Sequence, residues 1–318
     1  MNLLDLLNRE LNKTTFSISE SDILIFSMNA PKKYRVYSIP KRSAGTRIIA
    51  HPSKELKVYQ RHLVDLFKNI LPTHHTAYAY RQGLSIKENA ECHKKNKYLL
   101  KMDFENFFNS INPLILKNEL VKNKIKFTKE DFKLLEQLCF WCPSKKIGGK
   151  LILSVGAPSS PSISNFIMYQ FDEIVENWCK QRKITYTRYA DDISFSTSLK
   201  DALFEVPKLV ESTLTSNFGK RISVKASKTV FSSKAHNRHI TGVTITNEGE
   251  LSIGRDRKRY ISSLIHKFKL NMLAQQDIEH LKGLLGFAFH VEPVFRERMI
   301  NKYSKKTMDE INQFRSES

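Results

Sequence analysis

The sequence predicts an α+β fold. Short β-rich runs at 34–51, 97–103 and 184–197 are separated by segments whose apolar residues return at helical spacing, and beyond Gly254 the pattern is helical almost to the end. No internal repeat, low-complexity tract or Ser/Gly linker divides the 318 residues, so any lobes are joined through shared structure. That length is ample for a buried core.

Taken in order, MNLLDLLNRELNK sets Asp5, Arg9 and Glu10 into an apolar pattern and offers no small-residue cleavage site. It predicts an amphipathic helix in place of an export signal, and so a cytoplasmic chain. YRVYSIPKRSAGTRIIAH reads as two β runs around a turn at Ser43-Ala44-Gly45, with Lys41, Arg42 and Arg47 at or near the tip. Leu56, Leu63, Leu66, Phe67 and Ile70 predict a helix over 53–71. KYLLKMD is a strand ending on Asp103, and Phe104, Phe107 and Phe108 crowd the turn after it. Asn112-Pro113 reads as the cap and first residue of a helix to about Asn123, and Thr128 to Asp131 starts another through Trp141. KKIGGKLILSV predicts a hairpin turning at Gly148-Gly149; its GGK string lacks the spacing and Ser/Thr of a phosphate-binding P-loop. From Pro161 onward Ile163, Phe166, Ile167, Phe171, Ile174, Val175 and Trp178 share one helix face, which should pack under a sheet. ITYTRYADDISFST reads as two strands meeting at Ala190-Asp191-Asp192, and helices over 277–290 and 293–313 form a separate C-terminal lobe.

Composition narrows the function. The 52 Lys and Arg against 32 Asp and Glu leave a formal charge of +20, which calls for a polyanionic partner. No run approaches the roughly eighteen apolar residues that span a bilayer, so no membrane role is expected. Cys92, Cys139, Cys142 and Cys179 are too few and too irregular for a disulfide framework. Cys139 and Cys142 have the Cys-x-x-Cys spacing but no second pair and no His at ligand spacing, so they read as buried thiols.

The chemistry lies in the acids. Asp103 ends one strand, and Asp191 and Asp192 lie between two others, so the three carboxylates can converge on one edge of a central sheet. At about 4 Å each pair repels by roughly 4 kcal/mol at an effective dielectric near 20, so such a cluster holds protons or collects divalent cations. Oxygen-only ligands favour magnesium. Two such ions about 3.5–4 Å apart can activate a hydroxyl and stabilise a departing pyrophosphate.

With these residues in place the sequence resembles the reverse transcriptases. KMDFENFF is similar to their first palm motif, GAPSSPSISN to the second, TRYADDISFS to the third and ISVKASKTVF to the lysine-bearing fourth, all in the right order. IPKRSAGTRIIAHP is similar to their fingers segment. NAECH at 89–93 matches the NAxxH signature of retron enzymes, and ITG at 240–242 resembles their VTG element. The resemblance implies a right-hand polymerase: fingers with the N-terminal helix over 1–100, a palm with some fingers elements over 101–248, and a helical thumb over 249–318. The palm would hold an antiparallel sheet of the split β-α-β type.

Carried over by position, the resemblance makes Asp103, Asp191 and Asp192 catalytic ligands of two magnesium ions, with the Phe104 carbonyl as a further ligand. Lys228 would protonate or neutralise the pyrophosphate. Lys41 and Arg47 would hold the triphosphate of a deoxynucleotide, Phe108 would exclude a 2′-hydroxyl, and Gly156, Ala157 and Pro158 would line the nucleotide's approach. Val155 stands where the family often has Gln, so any amide contact from that position is lost. Asn89, His93, Thr241 and Gly242 would bind RNA or form the scaffold beneath it, and Arg255, Arg257, Lys258, Arg259, Lys267 and Lys269 would lie along duplex phosphates.

The retron resemblance further implies a cognate structured noncoding RNA, priming from an internal guanosine 2′-hydroxyl, a branched RNA–DNA product (msDNA), and an effector protein in anti-phage defence. Group II intron-like or diversity-generating reverse transcriptases are the near alternatives. A non-catalytic RNA-binding protein with the same fold is the distant one, although a pure binder has no reason to bear the repulsion of three acids.

Overall fold

The computed structural model describes residues 2–13, 18–40 and 45–314. The N-terminal part is helical. Helices α1 (Leu3–Asn12) and α2 (Glu20–Asn29) lead into a hairpin of β1 (Tyr34–Pro40) and β2 (Thr46–Pro52), followed by α3 (Lys54–Ile70) and α4 (Ile86–Glu91). Leu3, Leu7 and Leu11 repeat at four-residue spacing and are all buried, which accounts for the amphipathic pattern of the first segment. The Asp131 carboxylate accepts from the Leu3 amide at 2.7 Å and docks the start of the helix.

Strand β3 (Tyr98–Asp103) opens the central sheet. After it come α5 (Phe107–Ser110), α6 (Pro113–Lys122), α7 (Lys129–Cys139), α8 (Ser160–Ile167) and α9 (Tyr169–Gln181), then the hairpin β4 (Thr185–Tyr189) and β5 (Asp192–Thr197), α10 (Val206–Phe218) and β6 (Val230–Ser233). The sheet order is β4-β5-β3-β6 with every neighbour antiparallel. A β-α-β-β-α-β succession in this order is the split β-α-β arrangement, as the resemblance implied. Strand β5 is nearly all buried because helices cover one face and loops and α4 the other.

A second sheet of β7 (Arg238–Ile240), β8 (Val243–Ile245) and β9 (Leu251–Ser252) precedes four helices, α11 (Arg255–Lys269), α12 (Gln275–Val291), α13 (Pro293–Tyr303) and α14 (Lys305–Gln313). Two hydrophobic cores result. One joins the N-terminal helices to the main sheet and α5–α10; the other joins the small sheet to α11–α14 and takes in Ala90 and Leu99. Leu100 belongs to the first and Leu99 to the second, as side-chain alternation along a strand between two layers requires.

Three local expectations are corrected. KKIGGKLILSV forms no strand pair beyond a single bridge between Trp141 and Ile152, because its turn region packs around the Cys142 thiol, which contacts Ser144 Oγ and the Lys146 carbonyl. The helix from Pro161 is interrupted at Met168, three residues beyond Asn165; the Ser164 hydroxyl bonds back to the Pro161 carbonyl at 2.9 Å, a contact that bends helices. The break shifts the buried face, so Asp172 and Cys179 are buried where Ile174 was expected, and Ile174 is 44% exposed. The last predicted helix is split at Ser304, whose φ is +80°. All four cysteines are free thiols, and burial pushes the Cys139 thiol up to about 12. Among the described residues, no helix is long and apolar enough to cross a membrane.

Candidate active site

Strand register brings the acids together. Asp103, the last residue of β3, lies directly opposite Asp192, the first of β5, so both side chains leave the same face. Tyr189 pairs with Asp192 across β4 and β5, which leaves Ala190-Asp191 as a two-residue loop. Ala190 takes a φ of +57°, a left-handed conformation that costs a residue bearing Cβ about 1–2 kcal/mol. The Asp191 carbonyl accepts from the Phe104 amide at 3.0 Å and ties the loop to the end of β3. Three carboxylates from segments almost ninety positions apart thus share one spot.

Their electrostatics follow. Burial and the neighbouring Asp103 carboxylate raise the pKa of Asp191. Partial withdrawal from water, then the charges of Asp191 and Asp103, push Asp192 up to about 6. Lys228 partly compensates: its Nζ lies 2.5 Å from Asp103 Oδ2. Burial alone would depress this lysine, but the hydrogen bond to Asp103 and the pull of all three carboxylates prevail and raise it, so it is firmly protonated. Lys228 is placed by backbone contacts, since the Lys225 amide donates to the Asp103 carbonyl at 2.8 Å and a short 3-10 turn, Ala226–Lys228, then returns the chain to the acid.

The other expected residues fall around this centre unevenly. Arg47 is exposed on β2, and its charge reaches Asp191, where it opposes the upward shift. Lys41 lies outside the described residues. Gly156 has a φ of +115°, which glycine alone adopts without strain, and its neighbour Ser154 donates to the Ala50 carbonyl, so the 154–158 segment is fastened to the strand that carries Arg47. Ala157 is buried and Pro158 half-buried. Phe107 is core, 2% exposed, whereas Phe108 is half-buried at the core's edge. Phe104 packs its ring against Phe107 and Phe171, which leaves its backbone to face the acids.

Asn89 and His93 are each 1% exposed, which fits the scaffold alternative of their expected role. Both His93 nitrogens are occupied, Nδ1 by Ser196 Oγ and Nε2 by Thr187 Oγ1, each at 2.7 Å. The NAECH string is scaffold: it locks α4 onto β4 and β5. Thr241 and Gly242 form the two-residue turn between β7 and β8, both at positive φ, with Gly242 exposed. On α11, Lys258 Nζ lies 2.6 Å from Glu292 Oε1, and Arg257 donates to the Gly242 carbonyl and stacks on the Phe287 ring; both are half-buried, whereas Arg255, Arg259, Lys267 and Lys269 are exposed.

Sequence reasoning missed the support of the acidic loop. Arg188, 0% exposed, grips Asp172 through Nε and NH2 (2.9 and 2.6 Å), Asn165 Oδ1 at 3.0 Å and the Ala190 carbonyl at 3.3 Å. Tyr186 donates to the same Asp172 at 2.7 Å. A signal was present: in TYTRY the inward positions of the strand, Tyr186 and Arg188, carry polar atoms that burial obliges to find partners.

Fold and acidic site together define a nucleotidyl-transferring polymerase with a palm of the reverse transcriptase kind. Two solved structures have the same fold: a foamy viral protease–reverse transcriptase in complex with double-stranded DNA (TM-score 0.50, 16% identity, 90% of this chain) and a Candida albicans telomerase with a fragment of telomeric RNA (TM-score 0.52, 11% identity, 94% of this chain). The chain covers 40% and 60% of those two chains. The family described as reverse transcriptase (RNA-dependent DNA polymerase) matches residues 39–245. The retron Ec83 reverse transcriptase of Escherichia coli is 48% identical over 92% of this chain and 94% of its own, and the retron Ec73 enzyme of the same organism 30% identical over 87% and 89%. The chain belongs to the reverse transcriptase family, among the retron enzymes, and is an RNA-directed DNA polymerase.

Proposed function

We propose that this retron enzyme binds a structured noncoding RNA in the cytoplasm and copies part of it into a 2′,5′-branched RNA–DNA hybrid, within an anti-phage defence system that includes an effector protein. The observation that carries the catalytic reading is Asp103 standing opposite Asp192 beside Asp191. These are hard oxygen donors, two of them with raised pKa values, and they suit a pair of magnesium ions better than any softer metal. When bound, such ions supply Lewis-acid activation of the attacking hydroxyl and charge neutralisation at the leaving group.

The protein's own residues do the rest. Asp103 and Asp191, with Asp192 in an auxiliary role and the Phe104 carbonyl beside them, would hold these ions. Arg47, and Lys41 from the other side of the same turn in sequence, bind triphosphate oxygens; the Gly156-Ala157-Pro158 backbone borders the nucleotide, and Phe108 closes the space where a 2′-hydroxyl would sit. Lys228, held protonated against Asp103, carries the proton that the departing pyrophosphate needs. Residues 1–100 serve as fingers, 101–248 as palm with some fingers elements and 249–318 as thumb, whose exposed Arg255, Arg259, Lys267 and Lys269 follow duplex phosphates. Thr241 and Gly242 contribute an RNA-facing turn at the thumb's root.

The test is to purify the protein from its native locus and sequence the bound nucleic acid before and after debranching. A DNA strand joined to one RNA through a 2′,5′ linkage is expected. A linear DNA product overturns the branched reading and favours an intron-like or other bacterial reverse transcriptase.

A further inference from the structure

The loop between α3 and α4 carries His74 and His75 in succession, and both face Glu176 of α9, away from the acidic cluster. His75 Nε2 lies 2.7 Å from Glu176 Oε1, and His74 Nε2 lies 3.8 Å from Oε2. One ligand atom from each residue falls within 4.8 Å of the other two. Two ligands each about 2.1 Å from a zinc ion at a tetrahedral angle stand roughly 3.4 Å apart, so the His75–Glu176 pair need only part slightly from its hydrogen bond, and His74, which faces the other carboxylate oxygen, close in by a few tenths of an ångström. We propose that His74, His75 and Glu176 form a zinc site, separate from catalysis, with its fourth position open to water on the exposed side of His75.

The donor set selects the metal. Two imidazoles and one carboxylate suit zinc and its neighbours, whereas magnesium prefers six oxygens. His74 is buried, and its other nitrogen is held by Thr76 Oγ1 at 2.8 Å, the kind of outer contact that orients a ligating imidazole. Lys180 now occupies Glu176 Oε1 at 2.9 Å, but its side chain is 61% exposed and can swing into solvent at little cost.

The site has a structural use. Two residues after His74, the Thr76 carbonyl accepts from the Arg188 amide at 2.8 Å, and the Tyr78 amide donates to the Arg188 carbonyl at 2.8 Å. The loop is therefore a strap along β4, and an ion at its base fastens it to α9 behind the hairpin that carries Asp191 and Asp192.

The full-length protein, stripped with EDTA and returned to millimolar magnesium to fill the acidic cluster, is titrated with Co²⁺ and with Zn²⁺. The proposal expects one cobalt per chain with the intense visible absorption of a tetrahedral site, displacement by zinc, and a melting temperature raised by a few degrees. His75→Ala, at an exposed position, and Glu176→Gln each weaken binding at least ~10-fold and abolish the thermal shift, while magnesium-dependent DNA synthesis is unchanged. Absence of a tetrahedral cobalt spectrum, or the same spectrum in both variants, overturns it.

Discussion

Asp192 is the residue at which the geometry becomes chemistry. Burial, and then the charges of Asp191 and Asp103 beside it, push its carboxyl up to about 6, and a divalent cation relieves that repulsion more effectively than a proton. Phe108 acts by shape. It is half-buried at the rim of the core, so truncation opens space at the surface and not a sealed core cavity. Phe108→Ala is expected to narrow the preference for deoxynucleotides over ribonucleotides by about tenfold or more, measured as the ratio of kcat/KM values; an unchanged ratio removes Phe108 from that role. All three acids were legible in the sequence because Asp103 ends one strand-like run and Asp191 and Asp192 lie between two others. The fates of Lys258 and Arg257 were not, since Glu292 and Phe287, their partners, are 30 or so positions away and nothing local pairs them.

At the scale of elements, the hairpin β4–β5 depends on two buried polar clusters beneath it. The Arg188–Asp172 pair is fully buried, and breaking it strands one charge without a partner. Arg188→Met or Asp172→Asn is expected to lower unfolding free energy by about 3–5 kcal/mol, with a double replacement costing less than the sum; urea denaturation measures both, and additive losses contradict the pairing. Burial holds His93 down to about 3, whereas the unfolded chain titrates near 6.5. Between those values the unfolded state binds the extra proton, so stability is intact above pH 6.5 and falls by about 1.4 kcal/mol per pH unit as pH drops toward 3. His93→Gln should be less stable at pH 7.5 yet lose less on acidification; parallel stability–pH curves for the two proteins contradict this. The NAECH string was visible in the sequence, but its burial was not, because a hydrogen-bonded core histidine and an RNA-facing one share the same letters. The hairpin and the helix–strand alternation were legible from periodicity, whereas the break at Met168 arises from a side-chain bond that periodicity does not report.

For the molecule as a whole, the topology exists to bring distant segments to one edge. Strand β3 sits in the middle of the sheet, between β5 and β6, so Asp103 meets Asp192 on one side and the segment bearing Lys228 on the other. The second core, built on the small sheet and α11–α14, reaches that sheet through Leu99 and presents its cations outward. The motifs announced this order of parts; only the fold shows which cations are engaged by neighbours, as Lys258 is by Glu292, and which stay exposed on α11. The most direct test measures single-nucleotide incorporation on the enzyme's own RNA with Asp103→Asn, Asp191→Asn and the double variant, alongside RNA binding. Incorporation reduced by about a thousandfold or more in each, with RNA affinity within about twofold, is the expected result. Persistent DNA synthesis in the double variant contradicts the assignment of these carboxylates as the catalytic centre.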